Sequence, residues 1–339
     1  MADGSGLVYK YDKARASLKP ELSASIHQAA VEKGGDVPEQ IPRFRIAISE
    51  VGISDKTFWI SLPQGRLPFQ GSVFIDLSAN SRGIHMSRIE KAIALLYPRR
   101  FEDIRFFALD LAGMLLATQS AQRASVRIRG RIPLLRKTPV SRQTSVDSAD
   151  ISTEVQIVRQ ENGTTPVESL IGVSLSHITA CPCTQVYNQV LTEIEEACLS
   201  ASQSEIEGEN RTIPMPTHSQ RSITGLSVSD LDGTISFDVL FQCLDAALHL
   251  TQDLLKRPDE AEMVLKAHRA PQFAEDAVRE TARAAGIILG DRLPGDAGVV
   301  IESLSLESIH CHNVSCRLET TMETITGALQ SQEDLNGKF

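Results

Sequence analysis

The sequence predicts an α+β fold in which antiparallel strands form a sheet and helices pack on it. Segments in which apolar and polar residues alternate, the pattern of half-buried strands, come in neighbouring pairs. Between two such pairs lie longer segments with helical periodicity. This order of strands, helices and strands occurs twice along the 339 residues. We therefore predict two modules of similar architecture, although no residue-level repeat is evident.

The first module is predicted at 41–145, after a polar N-terminal tail (1–40) with at most one short helix. Pro98 ends its first helix, because proline lacks the backbone donor that helical hydrogen bonds require. A segment rich in Ser and Asp (139–152) is predicted to be a linker. The predicted strands are 44–49, 57–62, 71–77 and 124–131, with a turn at 51–54, and the predicted helices are 87–97 and 101–118.

The second module is predicted at 150–325, followed by a C-terminal tail (326–339). A polar, acidic insertion (201–216) interrupts this module after its first helix, and the chain is expected to fray after Thr320. The predicted strands are 153–159, 169–177, 222–228, 234–236, 298–304 and 314–319, and the predicted helices are 185–200, 237–255 and 270–285.

Composition argues against several classes of protein. The formal net charge of −9 disfavours nonspecific nucleic-acid binding. No apolar run reaches the ~18 residues of a membrane helix, and the N-terminus lacks the basic and apolar regions of a signal peptide. We expect a cytoplasmic protein. In that compartment the six cysteines, all in the second half of the chain, are more typical of metal binding or burial than of disulfides.

The segment Cys181-Pro182-Cys183 is where the sequence most strongly indicates chemistry. A thiolate is a nucleophile and a soft metal ligand. This spacing is not the C-x₂-C of a zinc knuckle, however, and no second pair follows at that spacing. Two cysteines that are simply buried fit the sequence equally well.

Further candidate ligands lie downstream. If the chain is extended at His310 and His312, as in a strand, the two side chains share one face. Neutral imidazole is a common metal ligand; two surface histidines are the alternative. His218 lies in a predicted loop, where a histidine without a special role is the more common case. Glu260 lies where a helix breaks and Glu275 within an amphipathic helix, and solvated carboxylates are ordinary in both places.

A run of basic residues without an intervening acid precedes the predicted linker. Alternation puts Arg127, Arg129 and Arg131 on one strand face, where their guanidinium groups suit a polyphosphate. The alternative is a basic interface that pairs with acidic residues of another subunit. The run comprises Arg123, Arg127, Arg129, Arg131, Arg136, Lys137 and Arg142.

Several familiar nucleotide-binding and catalytic motifs are absent from the sequence. It contains no Gly-rich phosphate loop, no dinucleotide fingerprint and no Gly-x-Ser-x-Gly elbow. The residues alone therefore support one thiolate, imidazole and carboxylate metal site, suited to Zn²⁺ or Fe²⁺, and a nearby anion site.

Taken together, the motifs resemble those of the type IB GTP cyclohydrolases. They occur in the order found in that family, from about residue 42 to 320, and an ordered set is more specific than any single motif. The motifs are VGIS (51–54), GIHMSR (83–88), CPC (181–183), THSQRS (217–222), KRPDE (256–260), FAED (273–276) and ESIHCHN (307–313).

The resemblance implies a tunnelling fold with two modules in tandem and helices packed on one face of the sheet. It implies a homotetramer, a dimer of dimers, with active sites at the interfaces and GTP as the substrate. The implied reaction opens the imidazole ring of GTP at C8, releases formate and closes a 7,8-dihydroneopterin phosphate, the first step of tetrahydromethanopterin or folate biosynthesis. The alternatives are another purine or pterin enzyme, or a noncatalytic metal-binding scaffold, of this fold, since fold does not fix function.

Carried over residue by residue, the resemblance assigns the catalytic metal site to Cys181, His218, Glu260 and His310, and the guanine edge to Glu275. One divalent metal per subunit is implied, Fe²⁺ first, with Zn²⁺ or Mn²⁺ as alternatives. The candidate phosphate-binding residues are Arg88, Arg136, Lys137 and Arg221.

The segment between the CPC motif and His218 is longer than in bacterial members and resembles the archaeal branch. That branch implies methanopterin synthesis, an Fe²⁺ enzyme and a 2′,3′-cyclic phosphate product in place of a triphosphate.

Overall fold

One antiparallel sheet organises the chain, and its strand order follows the sequence from β1 to β8. In this computed structural model the described residues are 22–161, 163–200, 214–253 and 256–336. The strands are β1 (Ile48–Leu62), β2 (Gly65–Leu77), β3 (Arg123–Lys137), β4 (Thr144–Gln160), β5 (Gly163–Ala180), β6 (Ser219–Ser229), β7 (Gly298–Ser305) and β8 (Val314–Thr321). The helices are α1 (Ala24–Gly34), α2 (Met86–Leu96), α3 (Ile104–Thr118), α4 (Pro182–Ser200), α5 (Phe237–Ala247), α6 (Arg257–Arg269), α7 (Ala274–Leu289) and α8 (Met322–Asn336).

The order strand, strand, helix, helix, strand, strand occurs twice. In the first half α2 and α3 separate β1 and β2 from β3 and β4; in the second half α5 and α7 separate β5 and β6 from β7 and β8, with α4 and α6 added. Helices α2, α3, α5, α7 and α8 pack on the sheet, and the buried side chains form a continuous core across both halves. The predicted α+β class is confirmed. The division into domains near residue 150 stays a prediction.

Alternating apolar residues build the core, as their spacing predicts. Val73 is opposite Val126, and Val126 is opposite Val155, in neighbouring strands. All three side chains are fully buried. Burying an aliphatic side chain of this size stabilises a fold by roughly 1.5–3 kcal/mol, so this register holds the first half of the sheet together.

The first predicted turn is a distortion within a strand. The sequence predicts strands at 44–49 and 57–62 with a turn between them, whereas β1 runs without a break from Ile48 to Leu62. Its pairing with β2 becomes irregular between Ile53 and Lys56. Asp55 there has a φ of 53°, which bends the strand without ending it.

The predicted linker at 139–152 is wrong in its larger part, because β4 begins at Thr144. The buried face of β4 carries polar residues there, which gives the segment its linker-like composition. Asp147 accepts hydrogen bonds from Arg136 Nε at 2.8 Å and from the Asp253 N–H at 2.9 Å. The buried Asp147 carboxylate therefore has hydrogen-bond donors, so β4 can continue through this residue.

Helix boundaries in the second half differ from the prediction. The helix predicted at 237–255 ends at Ala247, and the following segment runs beside β5, where the Ile178 N–H donates to the His249 carbonyl at 2.9 Å. Helix α6 was not predicted because most of its residues are polar. Pro258, interpreted as an interruption, lies in its first turn, where a backbone donor is not needed.

One predicted strand is a loop, and so is the segment that carries His310 and His312. Residues 234–236 form no strand, because the Ile235 N–H donates to Asp230 Oδ2 at 2.7 Å instead of to a neighbouring strand. Residues 306–313, which include His310 and His312, connect β7 to β8 as an irregular segment. The two histidines therefore do not share a strand face.

The predicted C-terminal fraying is also wrong, because residues after Thr320 form α8. Met322 and Ile325 are buried against the rest of the core. A Cβ at Gly286 in α7 would lie 2.7 Å from Ile325 and from Leu329, so glycine permits the close approach of the two helices. The short helix expected in the N-terminal tail is present as α1. The remaining tail residues (1–21 and 337–339) and most of the insertion (201–213) lie outside the described residues.

Two buried contacts tie the halves of the chain together. The guanidinium of Arg105 in α3 donates to Asp230 after β6 at 2.6 Å, and these side chains are only 3% and 2% exposed. The loop between β3 and β4 (138–143) reaches the start of α6, where the Val140 and Ser141 N–H groups donate to the Asp259 carboxylate. Among the described residues no helix is long and apolar enough to span a membrane.

Candidate functional site

Cys181 and His218 are neighbours at one end of the sheet. Ala180 at the end of β5 pairs with Ser219 at the start of β6, and the hydrogen bonding continues one step further. The Cys181 N–H donates to the His218 carbonyl oxygen at 3.1 Å. Thr217 Oγ1 in turn donates to the Cys181 carbonyl oxygen at 2.7 Å. The structure thus brings two of the predicted ligands together.

The two cysteines of the CPC motif have different surroundings. Cys181 is half-buried at the junction of β5 and α4, and Thr184 Oγ1 donates to its Sγ at 3.6 Å. Pro182 begins α4, where its fixed φ suits the first helical position. Cys183 lies one residue further on the helix and is exposed. This difference is consistent with a single cysteine ligand.

The His218 ring is held by a residue that the sequence analysis did not assign. Its Nδ1 lies 3.2 Å from Gln220 Oε1. The amide nitrogen of Gln220 donates to Ser305 Oγ and to Glu307 Oε1, both at 3.2 Å. The sequence contained a signal for this contact, since residues i and i+2 of a strand share a face.

His310 lies in the 306–313 loop, which begins beside His218. Glu307, the second residue of this loop, accepts the hydrogen bond from Gln220. The His310 ring is exposed and stacks on the His312 ring, with centroids 5.2 Å apart and planes inclined by 16°. The loop is therefore anchored near His218, and its histidines are accessible.

Glu260 lies in the first turn of α6 and is exposed. Its neighbour Asp259 is fully buried and accepts hydrogen bonds from the Val140 N–H at 2.9 Å, the Ser141 N–H at 2.8 Å and Ser141 Oγ at 2.6 Å. Burial alone would raise the pKa of Asp259, but these hydrogen bonds outweigh it and hold the pKa well below its usual value. Asp259, which sequence reasoning missed, fixes the turn that carries Glu260.

The structure does not collect all four predicted ligands around one point. Among the described residues, one group of three or more His, Cys, Asp or Glu side chains has its ligand atoms within 4.8 Å of one another, and it consists of Asp36, Glu39 and His85. Cys181 and His218 are held together by the backbone. Glu260 is placed by Asp259, and His310 by the loop that Glu307 anchors.

The Asp36, Glu39 and His85 group joins the N-terminal segment to α2. His85 Nε2 lies 3.5 Å from Asp36 Oδ2 and 3.4 Å from Glu39 Oε1. Gln119 holds the backbone of His85 from the other side. The His85 N–H donates to Gln119 Oε1 at 3.1 Å, and Gln119 Nε2 donates to the His85 carbonyl oxygen at 3.2 Å. His85 belongs to the GIHMSR motif, but the sequence analysis gave it no role.

Glu275 lies in the first turn of α7 and is exposed. The Gln272 carbonyl just before this helix accepts from the Ala180 N–H at 3.3 Å, so α7 begins beside the end of β5. Burial and then the Glu275 charge raise the pKa of Cys316 in β8. No described residue donates a hydrogen bond to the Glu275 carboxylate, which leaves both oxygens free to accept.

The candidate phosphate ligands are dispersed. Arg88 Nη1 donates to the Thr118 carbonyl at 2.9 Å, and Lys137 Nζ donates to Thr144 Oγ1 at 2.7 Å. The Arg221 guanidinium is exposed and has no partner among the described side chains and carbonyls. By strand alternation it lies on the sheet face opposite to Gln220, so within one chain it points away from the His218 side.

Three of the seven basic residues in the run pair with acidic residues of the same chain. Glu154 accepts from Arg127, Asp150 from Arg131 and Asp147 from Arg136, all across the β3–β4 ladder. The sequence is compatible with a polyphosphate or with acidic residues of another subunit as the partner of this run. The acidic partners of these three arginines belong to the neighbouring strand of the same chain.

A layer of buried polar residues lies beneath the site. His177 Nε2 is 2.7 Å from Thr224 Oγ1, which donates to Ser303 Oγ at 2.9 Å. Thr179 Oγ1 is 2.7 Å from Ser222 Oγ. Burial lowers the pKa of His177 to about 4, so this imidazole is neutral near pH 7.

Comparison with known proteins places the chain in a family. A family model described as type I GTP cyclohydrolase folE2 matches residues 35–316. The chain belongs to the type I GTP cyclohydrolase family. It is 30% identical over 309 residues to the GTP cyclohydrolase MptA of Methanoculleus marisnigri, covering 87% of this chain and 97% of that protein. It is 32% identical over 295 residues to the GTP cyclohydrolase MptA of Thermoplasma acidophilum, covering 84% and 95%.

Among solved structures, the chain is similar to uricase from Arthrobacter globiformis. The match covers 81% of this chain and 95% of that one, at 7% identity and a TM-score of 0.45. A likeness of this size carries no conclusion about chemistry.

Proposed function

We propose that the chain is a metal-dependent GTP cyclohydrolase. It hydrolyses the imidazole ring of GTP at C8, releases formate and closes a 7,8-dihydroneopterin phosphate. The observation that carries this proposal is the backbone pairing of Cys181 with His218 in a chain of this family. That pairing keeps a cysteine and a histidine adjacent at the end of the sheet.

The chemistry of the donor set fits one divalent metal. Cys181, His218, Glu260 and His310 would hold it, with Fe²⁺ preferred and Zn²⁺ or Mn²⁺ also compatible with sulfur, nitrogen and oxygen donors. Such a metal supplies a Lewis acid that lowers the pKa of bound water toward neutrality. The anchoring of the 306–313 loop to Gln220 supports the inclusion of His310, and the buried Asp259 supports that of Glu260.

Substrate recognition is proposed for Glu275 and for three basic residues. The Glu275 oxygens have no donor among the described residues. They would accept hydrogen bonds from two N–H groups of the guanine edge, and these bonds would contribute more binding free energy once water is excluded. Arg88, Lys137 and Arg221 are proposed to bind the phosphates. Arg221 faces away from His218 within its own chain, which favours a role toward the site of a neighbouring copy.

Self-association to a homotetramer is part of the proposal. Helix α4 begins at the CPC motif and exposes an apolar stripe, and large exposed apolar patches mark contact sites. A second copy that covers this stripe would lie close to Cys181. A cytoplasmic location also stays a prediction. The stripe comprises Val186, Tyr187, Val190, Leu191 and Ile194.

Two assays test the function. Purified protein is incubated with GTP under anaerobic conditions with Fe²⁺, Mn²⁺ or Zn²⁺, and formate and pterin fluorescence after oxidation are measured. We expect both products in equal amounts, with Fe²⁺ most effective. Formate without a pterin would indicate ring opening alone, and the absence of both with every metal would refute the proposal.

Chromatography of the product identifies the pathway branch. We propose a 2′,3′-cyclic phosphate product, as in tetrahydromethanopterin synthesis, because of the long segment between the CPC motif and His218. A triphosphate product would assign the chain to the folate type instead.

A further inference from the structure

We propose that Gln220 is a positioning residue that presents His218 to the metal through one fixed ring nitrogen and secures the loop that carries His310. This inference rests on the proposed function of the site, since it assumes that His218 is a ligand. It concerns a residue to which the proposed function assigns no role, and it can be tested on the metal-free protein.

The orientation of the Gln220 amide follows from its partners. Glu307 is a carboxylate, and when ionised it can only accept hydrogen bonds. It lies 3.2 Å from the Gln220 side-chain nitrogen, and Ser305 Oγ lies at the same distance. The opposite amide orientation would face two oxygens to each other, so the amide nitrogen points to Glu307 and the amide oxygen to His218.

Ser305 strengthens this orientation. Its hydroxyl donates to Glu307 Oε1 at 2.9 Å, so its oxygen is free to accept from Gln220. Both hydrogens of the Gln220 amide nitrogen therefore have acceptors. Side-chain networks in which every group is satisfied are rigid and hold a single arrangement.

The amide orientation in turn selects the tautomer of His218. Gln220 Oε1 is an acceptor 3.2 Å from His218 Nδ1, so in the neutral imidazole Nδ1 carries the proton. The lone pair is then on Nε2, which is the nitrogen that can bind a metal. Partners of this kind, which orient a ligating histidine through its other nitrogen, typically contribute roughly 10–100-fold in metal affinity.

The same residue links two ligand-bearing segments. His218 precedes β6, whereas Glu307 is the second residue of the loop that ends at β8 and includes His310. The backbone reinforces this link, because the Leu306 N–H donates to the Arg221 carbonyl at 2.9 Å. A change in the Gln220 side chain would thus release both the His218 ring and the start of the His310 loop.

The decisive measurement is the tautomer of His218 in the metal-free protein. Long-range ¹H–¹⁵N spectra of ¹⁵N-labelled protein above the pKa of histidine distinguish a protonated from an unprotonated ring nitrogen. The His218 signal is assigned by its loss in His218→Gln. We expect the Nδ1–H form. The Nε2–H form, or an equal mixture, in the wild type would overturn the inference, whatever the protein does with GTP.

Two substitutions separate the two roles of Gln220. Gln220→Met removes every hydrogen bond at similar volume, and we expect mixed tautomers and a Zn²⁺ affinity lower by about 10–100-fold. Gln220→Glu keeps an acceptor for Nδ1 but loses the donors to Ser305 and Glu307. We expect it to retain the Nδ1–H form while the 306–313 loop exchanges its amide hydrogens faster.

The matched control is Gln70→Met in β2. Gln70 makes a similar side-chain hydrogen bond, from its amide nitrogen to Thr57 Oγ1 at 2.9 Å, in the other half of the sheet. We expect Gln70→Met to leave the His218 tautomer and the Zn²⁺ affinity unchanged. If Gln220→Met keeps both at wild-type values while its thermal midpoint shows a folded protein, Gln220 has no positioning role.

The outcomes distinguish this inference from the proposed function. A protein with the Nδ1–H tautomer and impaired Zn²⁺ binding in Gln220→Met, but with no GTP turnover in the wild type, would support the inference and refute the function. A wild type that turns over GTP with His218 in the Nε2–H form would support the function and refute the inference.

Discussion

The Cys181 N–H and the His218 carbonyl oxygen form a hydrogen bond one step beyond the last paired residues of β5 and β6. The register of these two strands therefore fixes the Cys181 and His218 backbones relative to each other. A slip by one residue would turn one side chain to the other face of the sheet. Stability of the second half of the sheet and assembly of the site are thus coupled.

Cys181→Ala is expected to remove the metal, whereas Cys183→Ala is expected to keep it. Cys181 is half-buried beside His218, and Cys183 is exposed on α4. Loss of a direct ligand should lower metal affinity by more than the roughly 100-fold that outer partners contribute. Metal content and competition with a chelator measure the effect. Equal losses in both variants would mean that Cys181 is not the single cysteine ligand.

Glu275→Ala is expected to lower kcat/KM for GTP by about 100-fold or more, because two charged hydrogen bonds to guanine would be lost. Metal content should stay at the wild-type value. Glu280→Ala on the same helix is the control, since Glu280 pairs with Arg283 at the surface. Wild-type turnover in Glu275→Ala would exclude the guanine-binding role.

Arg105→Leu is expected to destabilise the fold by about 3–5 kcal/mol, the typical cost of leaving one member of a buried ion pair alone. Asp230 would lose its charged partner while remaining buried. Arg99→Leu removes an exposed pair with Asp110 and should cost less than about 1 kcal/mol. Denaturant unfolding measures the free energy of unfolding of both variants. Equal losses of stability would contradict the claim that burial makes the Arg105–Asp230 pair the more important one.

His177 is expected to make the protein sensitive to acid. Its folded pKa of about 4 lies below the ordinary value of 6.5, so between these values the unfolded chain binds more protons. The free energy of unfolding then falls as the pH drops from 6.5 toward 4, by at most about 3 kcal/mol for this group, and the loss ends below pH 4. Unfolding measured at several pH values should give a flatter profile for His177→Gln.

His27→Gln controls that experiment, because His27 is exposed on α1. We expect its pH profile to match that of the wild type. A wild-type profile in His177→Gln as well would show that other groups cause the acid sensitivity.

Asp259→Ala is expected to detach the 138–143 loop from α6. Four hydrogen bonds to the Asp259 carboxylate would be lost, from Val140, Ser141 and Lys256. Trypsin should then cut after Arg142 faster than in the wild type, and turnover should fall because Glu260 is adjacent. Ser141→Ala, which removes one of these bonds, should show a smaller change. Cleavage at the wild-type rate in Asp259→Ala would refute the anchoring role.

The sequence predicted those elements whose apolar residues follow one clear period. Strands such as β3 and β7 and helix α2 were found in this way. Helix α6 was missed because a charged helix held by Asp259 has no apolar face to recognise. The shared strand face considered for His310 and His312 is not formed, because Glu307 accepts hydrogen bonds from Gln220 and Ser305 instead of continuing the β7–β8 ladder.

Prediction of the site depended on different information. The individual ligands followed from motifs, but the contacts that place them did not. Gln220 and His218 could have been paired from their spacing. The contact of Asp259 with Val140 and Ser141 joins distant parts of the chain, and no local pattern reports such a contact.

The length of the β3–β4 hairpin is constrained as well as its composition. The two strands pair along the whole distance from Arg123 and Val158 to Lys137 and Thr144. Each residue added to both strands would advance the tip by about 3.4 Å, enough to carry Val140 and Ser141 out of reach of Asp259. Hairpin tips usually accept insertions and deletions freely. In this chain such changes should be rejected, and relatives should differ here by substitution more than by length.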